Sequence, residues 1–207
     1  MRFLIIVMGF YLGVVVHAEE GARKTVLFFG DSLTAGYGLD EERAFPAVVQ
    51  AKIDSVGMPF EVVNAGLSGE TSSGGLRRIG WLMRRKIDVL VLALGANDAL
   101  RGVPLEVTRE SLQGIVDKVK EKYKDVKIVV VGMEAPPNLG DEYTKGFREI
   151  FKALAERNDA VWIPFLLAGV AGNPELNLPD RIHPTEEGHQ ILAENVWRVL
   201  ELVLKTF

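Results

Sequence analysis

A three-layer α/β/α sandwich around a five-stranded parallel sheet is the fold class this chain predicts, on three observations. Five short apolar, β-branched segments are bounded by turn residues. Segments of helical period separate them, and each apolar segment is nearly continuous in hydrophobicity rather than alternating. Strands covered on both faces have that continuous character. Strand–helix alternation in turn implies right-handed crossovers and a parallel sheet. The 207 residues suit a single domain able to bury a full core.

The predicted strands cover residues 25–29, 60–64, 89–94, 127–131 and 161–165. In the first helix Phe45, Val49, Ile53 and Val56 share a face, with Pro46 suited to the opening turn and Gly57 to the end. Leu76, Ile79 and Met83 mark the second helix. Leu112, Ile115, Val116 and Val119 mark the third, and Tyr143, Phe147, Ile150 and Leu154 the fourth. The last helix opens at Thr185 as N-cap, with Glu186 and Glu187 at its positive end. Its inward face is predicted to carry Leu192, Val196, Val199 and Val203.

A hydrophobic content of 48% and a charged content of 25% match a water-soluble globular domain. The formal net charge of −4 argues against nucleic acid, which selects a basic face. The chain has no cysteine, so thiol catalysis, disulfides and cysteine metal sites are excluded. At the N-terminus Arg2 precedes an apolar run over 3–16, followed by Val16-His17-Ala18 and then Glu19-Glu20. That is the anatomy of a secretory signal peptide over 1–18, with the domain over 19–207. The run is shorter than the ~20 residues that span a bilayer. The expectation is therefore a periplasmic or secreted protein with no stable membrane span after cleavage.

Loops after parallel strands gather at the carboxyl edge of the sheet, where ligands bind. Four of these loops carry small or polar tips: Gly30-Asp31-Ser32, the stretch from Asn64 to Gly69, Gly95-Ala96-Asn97-Asp98, and a longer one reaching Asp180 and His183. Ser32 is a candidate nucleophile, and a serine hydroxyl needs a base within hydrogen-bond reach. His183 is the candidate, because His17 leaves with the signal segment and His189 reads as a partly exposed helix histidine. Asp180, three residues upstream, can take the proton on the far imidazole nitrogen.

Attack on an ester carbonyl also needs donors aimed at the developing oxyanion. The Ser32 N–H, the Gly66 N–H and the Asn97 amide are candidates. Gly66 also reads as a turn glycine and Asn97 as a loop or cap residue; their joint placement after successive strands favours the oxyanion role. Leu67, the glycine-rich stretch to Gly75, and Ala135-Pro136-Pro137 flank the serine as a candidate acyl groove, ordinary loop packing being the alternative. Arg77-Arg78 and Arg84-Arg85-Lys86 read as a solvated helix face, and Trp81 as core.

Gly30-Asp31-Ser32-Leu33, Gly66, Gly95-x-Asn97-Asp98 and Asp180-x-x-His183-Pro184 together resemble, in order, the four sequence blocks of the SGNH (GDSL) hydrolases. The flanks Gly36-Tyr37-Gly38, Asn64-Ala65-Gly66-Leu67-Ser68-Gly69-Glu70-Thr71, Ala135-Pro136-Pro137-Asn138 and Ala171-Gly172-Asn173-Pro174 resemble the exported bacterial branch, which includes thioesterases, lysophospholipases and arylesterases. The resemblance implies the family's flavodoxin-like fold and Ser32 as nucleophile. It implies His183 as base, Asp180 as orienting acid, and an oxyanion hole of Ser32, Gly66 and Asn97. Such a mechanism requires no metal and no organic cofactor; the expected partner is a small-molecule or lipid ester, and the expected state is a monomer. The Gly-x-Ser-x-Gly elbow of α/β-hydrolases is missing. Three other readings compete: a carbohydrate or peptidoglycan O-acetylesterase, a noncatalytic flavodoxin-like anion-binding module, and a phosphatase using Asp31. The last lacks an acidic cluster for magnesium.

Overall fold

The order β2-β1-β3-β4-β5, with every pair parallel, organises the protein. The computed structural model describes residues 23–207, so the signal segment expected over 1–18 lies outside the described residues. The strands are β1 (Lys24–Gly30), β2 (Phe60–Asn64), β3 (Val89–Ala93), β4 (Lys127–Val131) and β5 (Val161–Ile163). Every residue of β3 is buried, as a central strand covered by helices on both faces requires. The edge strand β2 is only half-buried beyond Phe60.

The helices are α1 (Ser32–Ala35), α2 (Phe45–Ser55), α3 (Ser72–Leu82), α4 (Ala96–Leu100), α5 (Leu105–Lys122), α6 (Asp141–Asn158) and α7 (Glu186–Leu204). α5 packs against both α3 and α6 in one layer, and α2 against α7 in the other. That partition follows from right-handed crossovers, because the chain moves one way from β1 to β2 and the opposite way from β2 onward. The direction change leaves a crevice between the carboxyl ends of β1 and β3, the switch point where doubly wound folds bind ligands. The fold class predicted from sequence is the fold observed.

Thr185 caps α7 by accepting the Gly188 N–H at 3.3 Å, and Pro46 occupies the first turn of α2. Other expectations need correction. The fifth strand stops at Ile163 instead of 165, since Pro164 has no N–H to extend the ladder. Val56 is half-exposed as the C-cap of α2, and Leu200 is the fully buried residue beside the partly buried Val199. Trp81 is 66% exposed at the end of α3 and belongs to no core. The short helices α1 and α4 escape sequence periodicity because neither completes two turns. No helix among the described residues is long and apolar enough to cross a membrane.

Candidate active site

β1 delivers Ser32 to the carboxyl edge and ends there. Asp31 then caps α1, its Oδ1 accepting the Leu33 N–H at 3.1 Å. This places Ser32 at the first position of a helix that begins directly on the strand. Opposite it, the turn before α7 is tied by Asp180. The Asp180 Oδ1 accepts the N–H groups of Ile182 and His183, at 2.9 and 3.0 Å.

The side chains then complete a relay. Asp180 Oδ2 lies 2.7 Å from His183 Nδ1, and His183 Nε2 lies 2.9 Å from Ser32 Oγ. The hydrogen bond from His183, joined by the two backbone donors, holds the Asp180 carboxyl down at about 2, so it is ionised at neutral pH. An ionised carboxylate can only accept. His183 Nδ1–H therefore donates to Asp180, and the Nε2 lone pair is left to accept the Ser32 hydroxyl proton. The Tyr37 ring packs on the His183 imidazole with centroids 4.3 Å apart.

His189 is excluded from this chemistry. It is fully buried, its Nδ1 accepts the Phe45 N–H at 3.1 Å, and burial pushes its pKa down to about 4. The expectation of a partly exposed histidine is corrected: His189 ties α7 to the start of α2 as a neutral ring.

Gly66 also sits elsewhere than the sequence suggests. Its N–H donates to Asn64 Oδ1 at 3.0 Å, closing a turn. A Cβ on it would lie 2.2 Å from the Ala35 nitrogen, so glycine is needed for close approach to α1. Its donor is consumed, and it does not line the cleft. Gly69 does line the cleft, beside Ser32, Ser68 and Asn97. It adopts φ +79°, and its N–H has no partner among the described residues. The signal that could have found it is the Asn64-Ala65-Gly66 pattern, because an asparagine side chain commonly binds the backbone two residues on. Leu67 is likewise displaced: its N–H is tied to the Gly30 carbonyl at 3.0 Å, and it lines a neighbouring depression with Arg77, Arg78 and Arg101. Ala135, Pro136 and Pro137 do line the cleft, whose volume is about 610 Å³, with Phe165 and Leu167 adding apolar surface.

α4 and its C-cap Arg101 hold the segment that runs from the β2–α3 loop into α3 at two points. Buried Asp98 accepts the Ser72 N–H at 2.8 Å and the Thr108 hydroxyl at 3.1 Å. Arg101 donates to the Gly69 carbonyl at 3.0 Å. One short helix with its cap thus carries Asn97 and anchors the segment bearing Gly69.

Asp31 is fully buried, which rules out its use as a nucleophile for phosphate esters. Burial raises its carboxyl to about 7, against the Leu33 N–H and the Asn97 amide, which favour its charge. Its Oδ2 lacks a hydrogen-bond partner. A folded-state pKa above the unfolded value means the native state holds the extra proton between about pH 4 and 7. Stability from this group is therefore full at low pH and falls as pH rises through that window. Asp31→Asn keeps a cap acceptor and cannot ionise. Urea unfolding at pH 5 and 8 is expected to show the variant gaining on the wild type by a few kcal/mol between the two, on the order of the raised pKa. An unchanged difference would refute the assignment.

The sequence profile of the GDSL-like Lipase/Acylhydrolase family matches residues 28–191. The chain is 34% identical over 194 residues to esterase TesA of Pseudomonas aeruginosa, covering 93% of this chain and 96% of that protein. It is 32% identical over 196 residues to thioesterase 1/protease 1/lysophospholipase L1 of Escherichia coli K12, covering 94% and 91%. Among solved structures, the psychrotrophic esterase EstA from Pseudoalteromonas sp., inhibited by monoethylphosphonate, superposes with a TM-score of 0.82 at 30% identity. That match covers 88% of this chain and all of the other.

Proposed function

The chain belongs to the GDSL-like lipase/acylhydrolase family and is a serine ester hydrolase, and from that premise we propose which residues act and on what. Ser32 Oγ attacks the acyl carbonyl while His183 Nε2 takes its proton. Asp180 holds the imidazole in the right tautomer and stabilises the imidazolium. The carbonyl oxygen, now anionic, is received by the Ser32 and Gly69 N–H groups and the Asn97 amide, in a site formed before the substrate arrives. His183 then protonates the leaving oxygen or sulfur, and the tetrahedral adduct collapses to an acyl-Ser32. Water, deprotonated by His183, attacks the acyl group and releases the acid.

The observation that carries this reading is the unbroken 2.7 and 2.9 Å relay from Asp180 through His183 to Ser32. Asn97→Ala is expected to lower kcat by ~10²–10³ with little change in KM, since the donor acts on the transition state. Steady-state hydrolysis of a soluble aryl ester measures it, and a pure KM effect would remove Asn97 from the oxyanion site.

The apolar wall of Ala135, Pro136, Pro137, Phe165 and Leu167 supports acyl chains longer than acetyl, on lysophospholipid, aryl or thioester leaving groups. A profile over acyl lengths of roughly two to sixteen carbons tests this; strict acetyl preference would instead favour the carbohydrate O-acetylesterase reading. The Arg2, apolar and Val16-His17-Ala18 pattern supports export to the periplasm or beyond. A mature chain starting near Glu19 in the exported fraction is the expected intact-mass result, and exported protein retaining Met1 would contradict it.

A further inference from the structure

Arg181 stands between Asp180 and His183 with a backbone φ of +59°, in the left-handed region that side chains other than glycine, asparagine and aspartate rarely enter. The turn around it enforces the conformation. Arg181 N–H donates to the Leu178 carbonyl at 2.8 Å, Leu178 N–H donates to the His183 carbonyl at 2.7 Å, and Asn177 bridges to Pro184. Glycine would sit here without strain, so the arginine is a backbone outlier, and such outliers gather at working sites.

Arg181 is exposed and is one of the residues that line the cleft. It is the only arginine or lysine among the described residues lining that cleft, and its guanidinium has no hydrogen bond or ion pair among the described residues. The acid of the cleft, Glu134, is already paired with Arg148 at 3.2 Å. Among the described residues, a guanidinium without a partner therefore borders a cleft with one apolar wall, Ala135, Pro136, Pro137, Phe165 and Leu167, and a polar side that carries Ser32, Asn97 and His183.

Its side of the cleft is set by His183. The imidazole hands its proton to the leaving oxygen, so the leaving group lies by His183, and Arg181 is two residues away in the same tied turn. We propose that Arg181 is the specificity-determining residue for a phosphate carried on the leaving group, a few bonds from the scissile oxygen. That is the arrangement of a glycerophosphate ester. This rests on the ester hydrolase reading above. A guanidinium fork is suited to phosphate oxygens, in a geometry no single ammonium reproduces. In coenzyme A thioesters the phosphates stand many bonds from the sulfur, beyond the reach of one arginine beside the histidine.

Three hexanoyl substrates, used below their aggregation limits, separate the possibilities: 1-hexanoylglycerol, 1-hexanoyl-glycero-3-phosphoglycerol and hexanoyl-coenzyme A. Arg181→Gly removes the cation while relieving the backbone, so the turn is retained; Arg181→Gln keeps polarity and most of the length. In both variants the ratio of kcat/KM for the phosphate ester over the neutral glycerol ester is expected to fall about tenfold, through KM. The wild-type preference should also weaken with added salt, as an exposed charge contact does. A ratio that stays constant in both variants would overturn the proposal, as would selective loss of the coenzyme A thioester instead. Failure of the wild type on all three, while it still hydrolyses an aryl hexanoate, would also overturn the proposal; failure on the aryl ester as well would sink the ester hydrolase reading itself, a distinct outcome.

Discussion

Ser32→Ala is expected to lower kcat for ester hydrolysis on the order of 10⁴–10⁶-fold, with the fold intact. The Ser32 hydroxyl has one side-chain hydrogen bond among the described residues, to His183, and Asp31 rather than Ser32 caps α1. Removing one partly buried oxygen therefore costs little stability. What disappears is the covalent route, in which a hard displacement by water becomes two easier acyl transfers. The oxyanion donors and the cleft remain, so residual turnover above the uncatalysed rate should persist. Matching melting curves and single-turnover rates for wild type and variant check both halves. Retained acyl-enzyme burst kinetics in the variant would move the nucleophile elsewhere.

His183→Ala is expected to cost a similar factor, because an unassisted hydroxyl at neutral pH is a poor nucleophile and the leaving group loses its proton donor. The two losses should not multiply. Residues that act as one unit fail together, so Ser32→Ala/His183→Ala should be about as slow as either single variant. Among the described residues, burial leaves no second histidine as candidate base, since His189 is locked neutral with its Nδ1 on the Phe45 N–H. Asp180 adds a pH statement. With its carboxyl held at about 2, it stays charged through the ordinary acid range, and its stabilising contribution is lost only as pH falls towards that value. The acid limb of a kcat/KM profile above about pH 3 must then belong to another group. A double variant far slower than both singles would break the assumed unit.

Much of the architecture was legible in the chain because burial on both faces writes itself as unbroken apolar runs. All five strands appear at their expected places, misplaced only at ends such as Pro164, where a missing N–H decides. The carboxyl-edge rule then pointed to Ser32, Asn97, Asp180 and His183, which the structure brings to one crevice. The choice between Gly66 and Gly69, two and five positions past the end of β2, was beyond that rule. It depends on whether a backbone N–H is free, and the Asn64 side chain had already used the one on Gly66. Trp81 and His189 misled for the same reason in opposite directions. Residue type predicts average burial, whereas the end of α3 runs out into solvent and the Phe45 N–H supplies a buried imidazole with its partner. The left-handed turn at Arg181 carries no local sequence signal, because glycine is the residue that would announce it.

An alkyl phosphonate ester that forms a stable adduct with activated serines offers the most direct test, read by intact mass and peptide mapping on the wild type and His183→Ala. One adduct on Ser32, forming rapidly in the wild type and at least a thousandfold more slowly without the imidazole, on the order expected when the base is lost, is the result this account requires. Labelling at Ser68 or another hydroxyl, or equal rates in both proteins, would mean that the Asp180–His183–Ser32 chain does not activate the nucleophile.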